Sequence, residues 1–329
     1  MIIVAISIDT EVDHRGDQWI KTAPLRFRSV IDGVPGPLAR IFAAHRARPT
    51  YLLTTEVMND SESVDVLHRL EDGELGTHLH GEHVPPEARV PDPAGAQSWD
   101  FSCCYPERLE RAKLVSLTDQ FRDRFGRAPL SYRAGRYAAS GRTAAILSEL
   151  GYVAETSVTP GLRWVHEFDA SCVLDFVNAP QWPYRPAAKD LAAVGELPIW
   201  EIPLTILPRP RWWNLGINTY QRLRSLPVQD YPVWLRPSTT SWPWLRWIVQ
   251  SSLRRARSSD MTVFNIMFHS MEVIADASPY SPTPRAAQRV LARLNRTLGL
   301  FESLGARFLT LSELADELER RERTTRWAA

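Results

Sequence analysis

Short apolar runs rich in β-branched residues alternate along the chain with segments whose apolar positions recur every three or four residues. The first run, IIVAISI (2–8), has no polar alternation and reads as a strand buried on both faces. A helix is expected over residues 36–47, after Pro35-Gly36-Pro37. PTYLLTT (49–55) predicts a second strand, VDVLHRLED (64–72) a helix, and ELGTHLH (74–80) a third strand. Residues 106–126 form a long amphipathic pattern that Gly126 ends. LSYRAG (130–135) is strand-like, and 141–151 is helical up to Gly151. Strands are expected again at 152–158, 262–269 and 306–311, with helices at 282–305 and 312–323, the last capped by Ser312.

Repeated strand–helix units imply parallel strands joined by right-handed crossovers. About seven of them would close, or nearly close, a barrel, in which chemistry gathers at the C-terminal strand ends. The polar clusters fall at those ends: Asp9 and Glu11 after the first strand, His78 and His80 at the end of the third, Arg133 to Tyr137 after another, and His269 late in the chain. The expectation is one α/β domain over 1–329. Residues 159–250 break the rhythm, are rich in Pro and Trp, and read as a long irregular insert over the active face.

Composition narrows the function. The 329 residues carry a formal net charge of +1, with no basic or acidic block, so nothing suggests a nucleic-acid partner. Cys103, Cys104 and Cys172 are an odd set without CxxC spacing, which favours reduced thiols over a disulfide framework. The N-terminus has no basic flank or cleavage site, and no apolar run of about 18 residues occurs. A cytoplasmic protein, at most peripheral to a membrane, is expected.

Three of the eight histidines, His78, His80 and His83, lie within six residues beside Glu82. On a strand, positions i and i+2 face the same side, so His78 and His80 can hold a divalent ion together with a carboxylate from another strand, Glu11 or Asp9. If Glu11 is the ligand, Asp9 is left as a general base, Arg133 can keep it ionised and in place, and His269 can act as the acid. Histidines 14, 45, 68 and 166 receive no role.

SIDTE, ELGTHLH, SYRAGRY and MFHSMEV occur in this order and at these separations. With them the chain resembles the polysaccharide deacetylase family (carbohydrate esterase family 4, the NodB-homology domain). ERLERAKLVSLTDQFRDRFGRAPLSYRAGRY and HSMEVIADASPY resemble most its branch that includes the lipopolysaccharide-biosynthesis protein WalW. The resemblance implies a distorted (β/α)7 barrel and metal-dependent hydrolysis of an N- or O-acetyl group on a sugar. By motif position it implies Asp9 as base, Glu11 and His78 as metal ligands, Arg133 and Tyr137 as the pair that orients the base and lines the oxyanion site, and His269 as acid. The family's second metal histidine comes four residues after the first, where this chain has Glu82. Strand geometry favours His80 there, with His83 and Glu82 as alternates. Zinc suits such ligands, with cobalt or manganese as alternatives.

In the insert, Trp182, Tyr184, Trp212 and Trp213 are candidates for stacking on sugar faces, against ordinary loop packing. The segment 242–257 sets Trp beside Arg246, Arg254, Arg255 and Arg257. It could lie on an anionic membrane, although a helix docked on the barrel explains it as well. Two rival functions remain: another metal-dependent amidohydrolase, and a glycan-binding barrel without catalysis.

Overall fold

The computed structural model describes residues 1–14, 24–88, 101–166, 169–210, 232–256 and 260–328. Its centre is a curled sheet in which every strand pairing is parallel. The strands are β1 (Ile2–Thr10), β2 (Thr50–Leu53), β3 (Glu74–Leu79), β4 (Ser131–Ala134), β5 (Ala154–Glu155), β6 (Trp200–Glu201), β7 (Thr262–His269) and the short β8 (Arg307–Phe308). They run in space as β6-β5-β4-β3-β2-β1-β7, and β8 pairs with the first half of β1. This is a seven-stranded (β/α) half-barrel.

The helices are α1 (Ala39–His45), α2 (Thr55–Asn59), α3 (Ser61–His68), α4 (Glu107–Phe125), α5 (Gly141–Glu149), α6 (Trp242–Arg255), α7 (Pro284–Ser303) and α8 (Leu311–Ala328). A wide helical segment, Ser29–Leu38, precedes α1, because Pro35 and Pro37 remove two ladder donors there. The cap of α8 is Thr310, not Ser312. The Glu313 amide donates to Thr310 Oγ1 (3.3 Å) and the Thr310 amide to Glu313 Oε2 (3.0 Å), a reciprocal pair that Thr-x-x-Glu spacing supplies and Ser312 cannot.

Strand alternation explains why one surface of the sheet is greasy and the other changes character along its length. Even positions of β1 (Val4, Ile6, Ile8) join Phe264, Ile266 and Phe268 of β7 in the core beneath the outer helices. Odd positions face the barrel interior: Ile3 and Ala5 pack with Leu52, Ala154, Leu311 and Leu314 at its base. Above them the same face carries Ser7 and Asp9.

Strands β6 and β7 do not pair, and Asn265 stitches the open seam. Its Nδ2 donates to Thr156 Oγ1 (2.8 Å) and Ile202 O (3.2 Å), its amide to Thr205 Oγ1 (2.8 Å), and its Oδ1 accepts from Ser7 Oγ (2.7 Å).

The stretch 159–250 is more ordered than its sequence suggests. It contributes β6, helix α6 and three two-stranded antiparallel pieces, Arg163–Val165 with Val173–Asp175, Pro186–Ala187 with Asp190–Val194, and Ile206–Leu207 with Val233–Trp234. The cysteine expectation is corrected too. Cys104 and Cys172 are joined in a disulfide across 68 residues of sequence. Only the folding of the 163–175 hairpin onto the loop before α4 brings them together. Cys103 stays a thiol, pushed up to about 12 by burial.

Candidate active site

The interior-facing positions at the C-terminal strand ends converge. Asp9 (β1), His78 (β3) and Arg133 (β4) are all at most 2% exposed. Parallel pairing sets His78 beside Arg133 and Asp9 beside His269, so four strands deliver four polar side chains to one rim.

Glu11 is the hub. Its Oε1 lies 3.4 Å from Nε2 of His78, 3.4 Å from Nε2 of His80 and 3.7 Å from Nε2 of His269. Its Oε2 lies 3.9 Å from Nε2 of His14, a buried residue that sequence reasoning left without a role. Glu11, His78 and His80 present one ligand atom each within 4.8 Å of one another, and so do Asp9, Glu11 and His269. The chemistry of the first set fits a divalent ion. His78 Nδ1 lies 3.0 Å from the Arg133 carbonyl, which only accepts, so Nδ1 carries the proton and the Nε2 lone pair faces Glu11.

Asp9 borders that set but is engaged by Arg133. Arg133 Nη1 donates to its Oδ1 at 2.5 Å, while Oδ2 faces Nε2 of His269 (3.7 Å) and of His78 (3.9 Å). Burial pushes its carboxyl up, but Arg133, then His78 and His269, more than offset this, and it sits below the usual carboxylate range. Arg133 is itself fixed by donating from Nε to Thr156 O (2.9 Å) and from Nη2 to Ser7 Oγ.

His269 has its own support. Its Nδ1 lies 3.0 Å from Glu272 Oε1, and Glu272 also pairs with Arg236. Burial pushes the Glu272 carboxyl up, yet Arg236 and His269 bring it down to about 2. Arg236 Nη2 lies 3.0 Å from the same Nδ1, so Glu272 and Arg236 together fix the ring, with Nε2 facing Asp9 at 3.7 Å. Neither Glu272 nor Arg236 was picked out from the sequence. The three-residue step from His269 to Glu272 was visible in MFHSMEV, whereas Arg236 arrives from the insert without any signal.

Tyr137 lines the same mouth. It stacks on Trp164 (centroids 5.5 Å apart, 30° between planes) and lies against Trp234 at 5.7 Å. Burial raises its phenol. Arg136 and Tyr137 both have positive φ, 50° and 60°. This turn leaves Gly135 so close to β3 that a Cβ there would lie 2.7 Å from Leu79 O and 2.9 Å from His80 Nδ1.

The alternates for the metal set point elsewhere: His83 Nε2 faces Glu82 Oε1 at 3.3 Å and Glu56 Oε1 at 4.0 Å. Among the aromatic candidates Tyr184 is corrected. It is 3% exposed and donates its hydroxyl to Leu191 O, so it offers no face to a sugar. Trp182 is exposed, and Trp212 and Trp213 lie outside the described residues. Among the described residues, Trp164 and Trp234 lie beside Tyr137 at the site.

No family model and no curated protein matches this sequence. Solved structures do. A Mycobacterium smegmatis protein described as a polysaccharide deacetylase superimposes with TM-score 0.52 over 98% of this chain and 91% of its own, at 15% identity. A Pseudomonas aeruginosa protein of the same description gives TM-score 0.54 over 97% and 91%, at 14% identity. The chain has the polysaccharide-deacetylase fold. A Parabacteroides distasonis protein described as a glycoside hydrolase/deacetylase scores 0.63, over 97% of this chain and 71% of its own, at 11% identity. Puue allantoinase shares the fold as well, at TM-score 0.55 and 13% identity over 96% and 89%. A deacetylase fold that also hosts an allantoinase leaves the reaction to be argued from the site itself.

Proposed function

We propose that this protein is a metal-dependent hydrolase that removes an N- or O-acetyl group from a sugar or surface-glycan precursor. The observation that carries the reading is the different pairing of two neighbouring carboxylates: Asp9 is held by Arg133, while Glu11 lies against His78 and His80. One carboxylate is kept ionised and facing the centre while the other joins two imidazoles in a donor set suited to zinc, cobalt or manganese.

Glu11, His78 and His80 would hold the ion, which when bound supplies Lewis acidity to the acyl group. Asp9 Oδ2 takes the proton from the attacking water, and Arg133 keeps Asp9 ionised before that transfer. His269, oriented by Glu272 through Nδ1, delivers a proton from Nε2 to the departing amine or alkoxide. Tyr137, Trp164 and Trp234 wall the mouth and restrict water around the acyl group. The Cys104–Cys172 disulfide suits an oxidising compartment, which weighs against the cytoplasmic location expected from the cysteine count.

The test is metal content of protein purified without added metal or chelator, for wild type, His78→Ala and His80→Ala, with acetate release from N- and O-acetylated oligosaccharides. About one equivalent in wild type, lost in both variants together with acetate release, is the expected result. A wild type that takes up no zinc, manganese or cobalt would overturn the metal assignment. Metal without acetate release from either ester or amide substrates would leave a glycan-binding barrel.

A further inference from the structure

Helices α6 and α7 pack side by side on one wall of the barrel. Arg246, Arg254 and Arg255 project from α6; Arg285, Arg289, Arg293 and Arg296 from α7. Across 242–256 and 284–301 there is no Asp or Glu at all. In a chain whose net charge is +1, that is a pronounced local excess.

Some arginines of other helices are paired with carboxylates. On α8, Arg320 and Arg321 pair with Glu317 (2.9 Å each) and Arg323 with Glu319 (3.2 Å). On α4, Arg122 pairs with Asp119 and Arg111 with Glu107. Among the described residues, none of the seven wall arginines makes an ion pair with a carboxylate. A surface of one sign raises the local concentration of anionic partners.

Half-buried indoles, Trp242, Trp244 and Trp247, pack against the core along one side and border the same wall. Arg296 sits over the Trp242 ring at 4.5 Å, and Trp244 meets Trp247 edge-on at 5.2 Å. The helices span about 21 and 30 Å at 1.5 Å per residue, forming a broad face instead of a groove. Indoles with an apolar body and a polar N–H beside arginines match a membrane–water interface better than a polymer track. The wall also reaches the site: Arg293 Nη1 donates to Pro237 O and Ser238 O, next to Arg236, which pairs with Glu272.

We propose that the α6–α7 wall docks on an anionic phospholipid surface. Docked there, the barrel mouth would lie at the headgroup level, where a lipid-linked sugar is presented. That last step rests on the function proposed above; the docking itself does not.

The experiment is sedimentation of the full chain with phosphatidylcholine vesicles with and without phosphatidylglycerol. Binding is expected only with phosphatidylglycerol, and is expected to disappear at about 1 M salt, where the screening length is roughly 3 Å. The variant Arg254→Ala/Arg255→Ala/Arg285→Ala/Arg289→Ala should lose on the order of 1,000-fold in partitioning. Arg320→Ala/Arg323→Ala, which removes ion-paired arginines of α8, should change it by less than about twofold. The quadruple variant should keep its circular dichroism spectrum, and its acetate release from a soluble oligosaccharide if the wild type has any.

Indifference to phosphatidylglycerol, or equal loss in the control variant, overturns the proposal. Tighter binding to heparin or duplex DNA than to the vesicles also overturns it, in favour of a polyanion. Failure of the proposed hydrolysis would appear separately, as absent acetate release with vesicle binding intact.

Discussion

Arg133 accepts a hydrogen bond from Nδ1 of His78 on its carbonyl (3.0 Å) while its guanidinium holds Asp9 (2.5 Å). One residue therefore sets the tautomer of a candidate ligand and the charge of the candidate base. Its backbone role survives substitution; its side-chain role does not.

Arg133→Met should leave Asp9 buried without its counter-charge. Unfolding in urea should show a loss of about 3–5 kcal/mol. Arg133→Lys should recover part of that, since an ammonium supplies charge but not the fork that reaches Asp9, Ser7 and Thr156 together. A loss below about 1 kcal/mol for the Met variant would mean that Asp9 finds another partner.

Gly135→Ala would put a methyl group against Leu79 O and the His80 ring. The neighbour with freedom to move is the imidazole. The variant is expected to cost about 1–3 kcal/mol as an overpacked site and to weaken metal retention, read by elemental analysis after dialysis. Wild-type metal retention would show that His80 is not needed for binding.

Glu272 gives the stability an acid limb. Its folded pKa, about 2, lies below its unfolded value, so the stabilisation is complete above the unfolded pKa and is lost as pH falls towards about 2. A shift of this size corresponds to about 3 kcal/mol. Glu272→Gln should flatten the fall in denaturation midpoint below about pH 4.5. An unchanged acid limb would refute the assignment.

Glu201 works in the opposite sense. Glu201 and Glu155 are neighbours in register on β6 and β5, both fully buried. Burial, then Glu155, raises the Glu201 carboxyl well above its ordinary range. Stability therefore declines as pH rises from the unfolded pKa towards the folded one. Glu201→Gln should match wild type in acid and exceed it above neutrality, by thermal melts across pH.

Cys172→Ser opens a 68-residue loop that also carries Trp164. A stability loss of about 2–4 kcal/mol is expected, and a dithiol reductant should lower the wild type to the same level. A reductant-insensitive wild type would show that the bond contributes nothing.

Much of this architecture was legible because period and spacing are local properties. Alternation put Ile3, Ala5, Ser7 and Asp9 on one face of β1, and the HxH step put His78 and His80 on one face of β3. Strand ends in a parallel barrel share one rim, so Asp9, Glu11, His78, Arg133 and His269 could be assigned to one place without knowing any distance.

What stayed hidden depends on chain segments far apart in sequence that meet only after folding. Glu272 owes its charge to Arg236, which arrives from the stretch 159–250. Tyr184 looked like a sugar platform until the pairing of its backbone with Glu201 drew it inward. Cys104 and Cys172 have no meaningful spacing until a hairpin carries one to the other. Residue types and short-range geometry decided which groups could act. Long-range packing decided which side chains became buried partners, because burial and charge pairing are properties of the assembled interior.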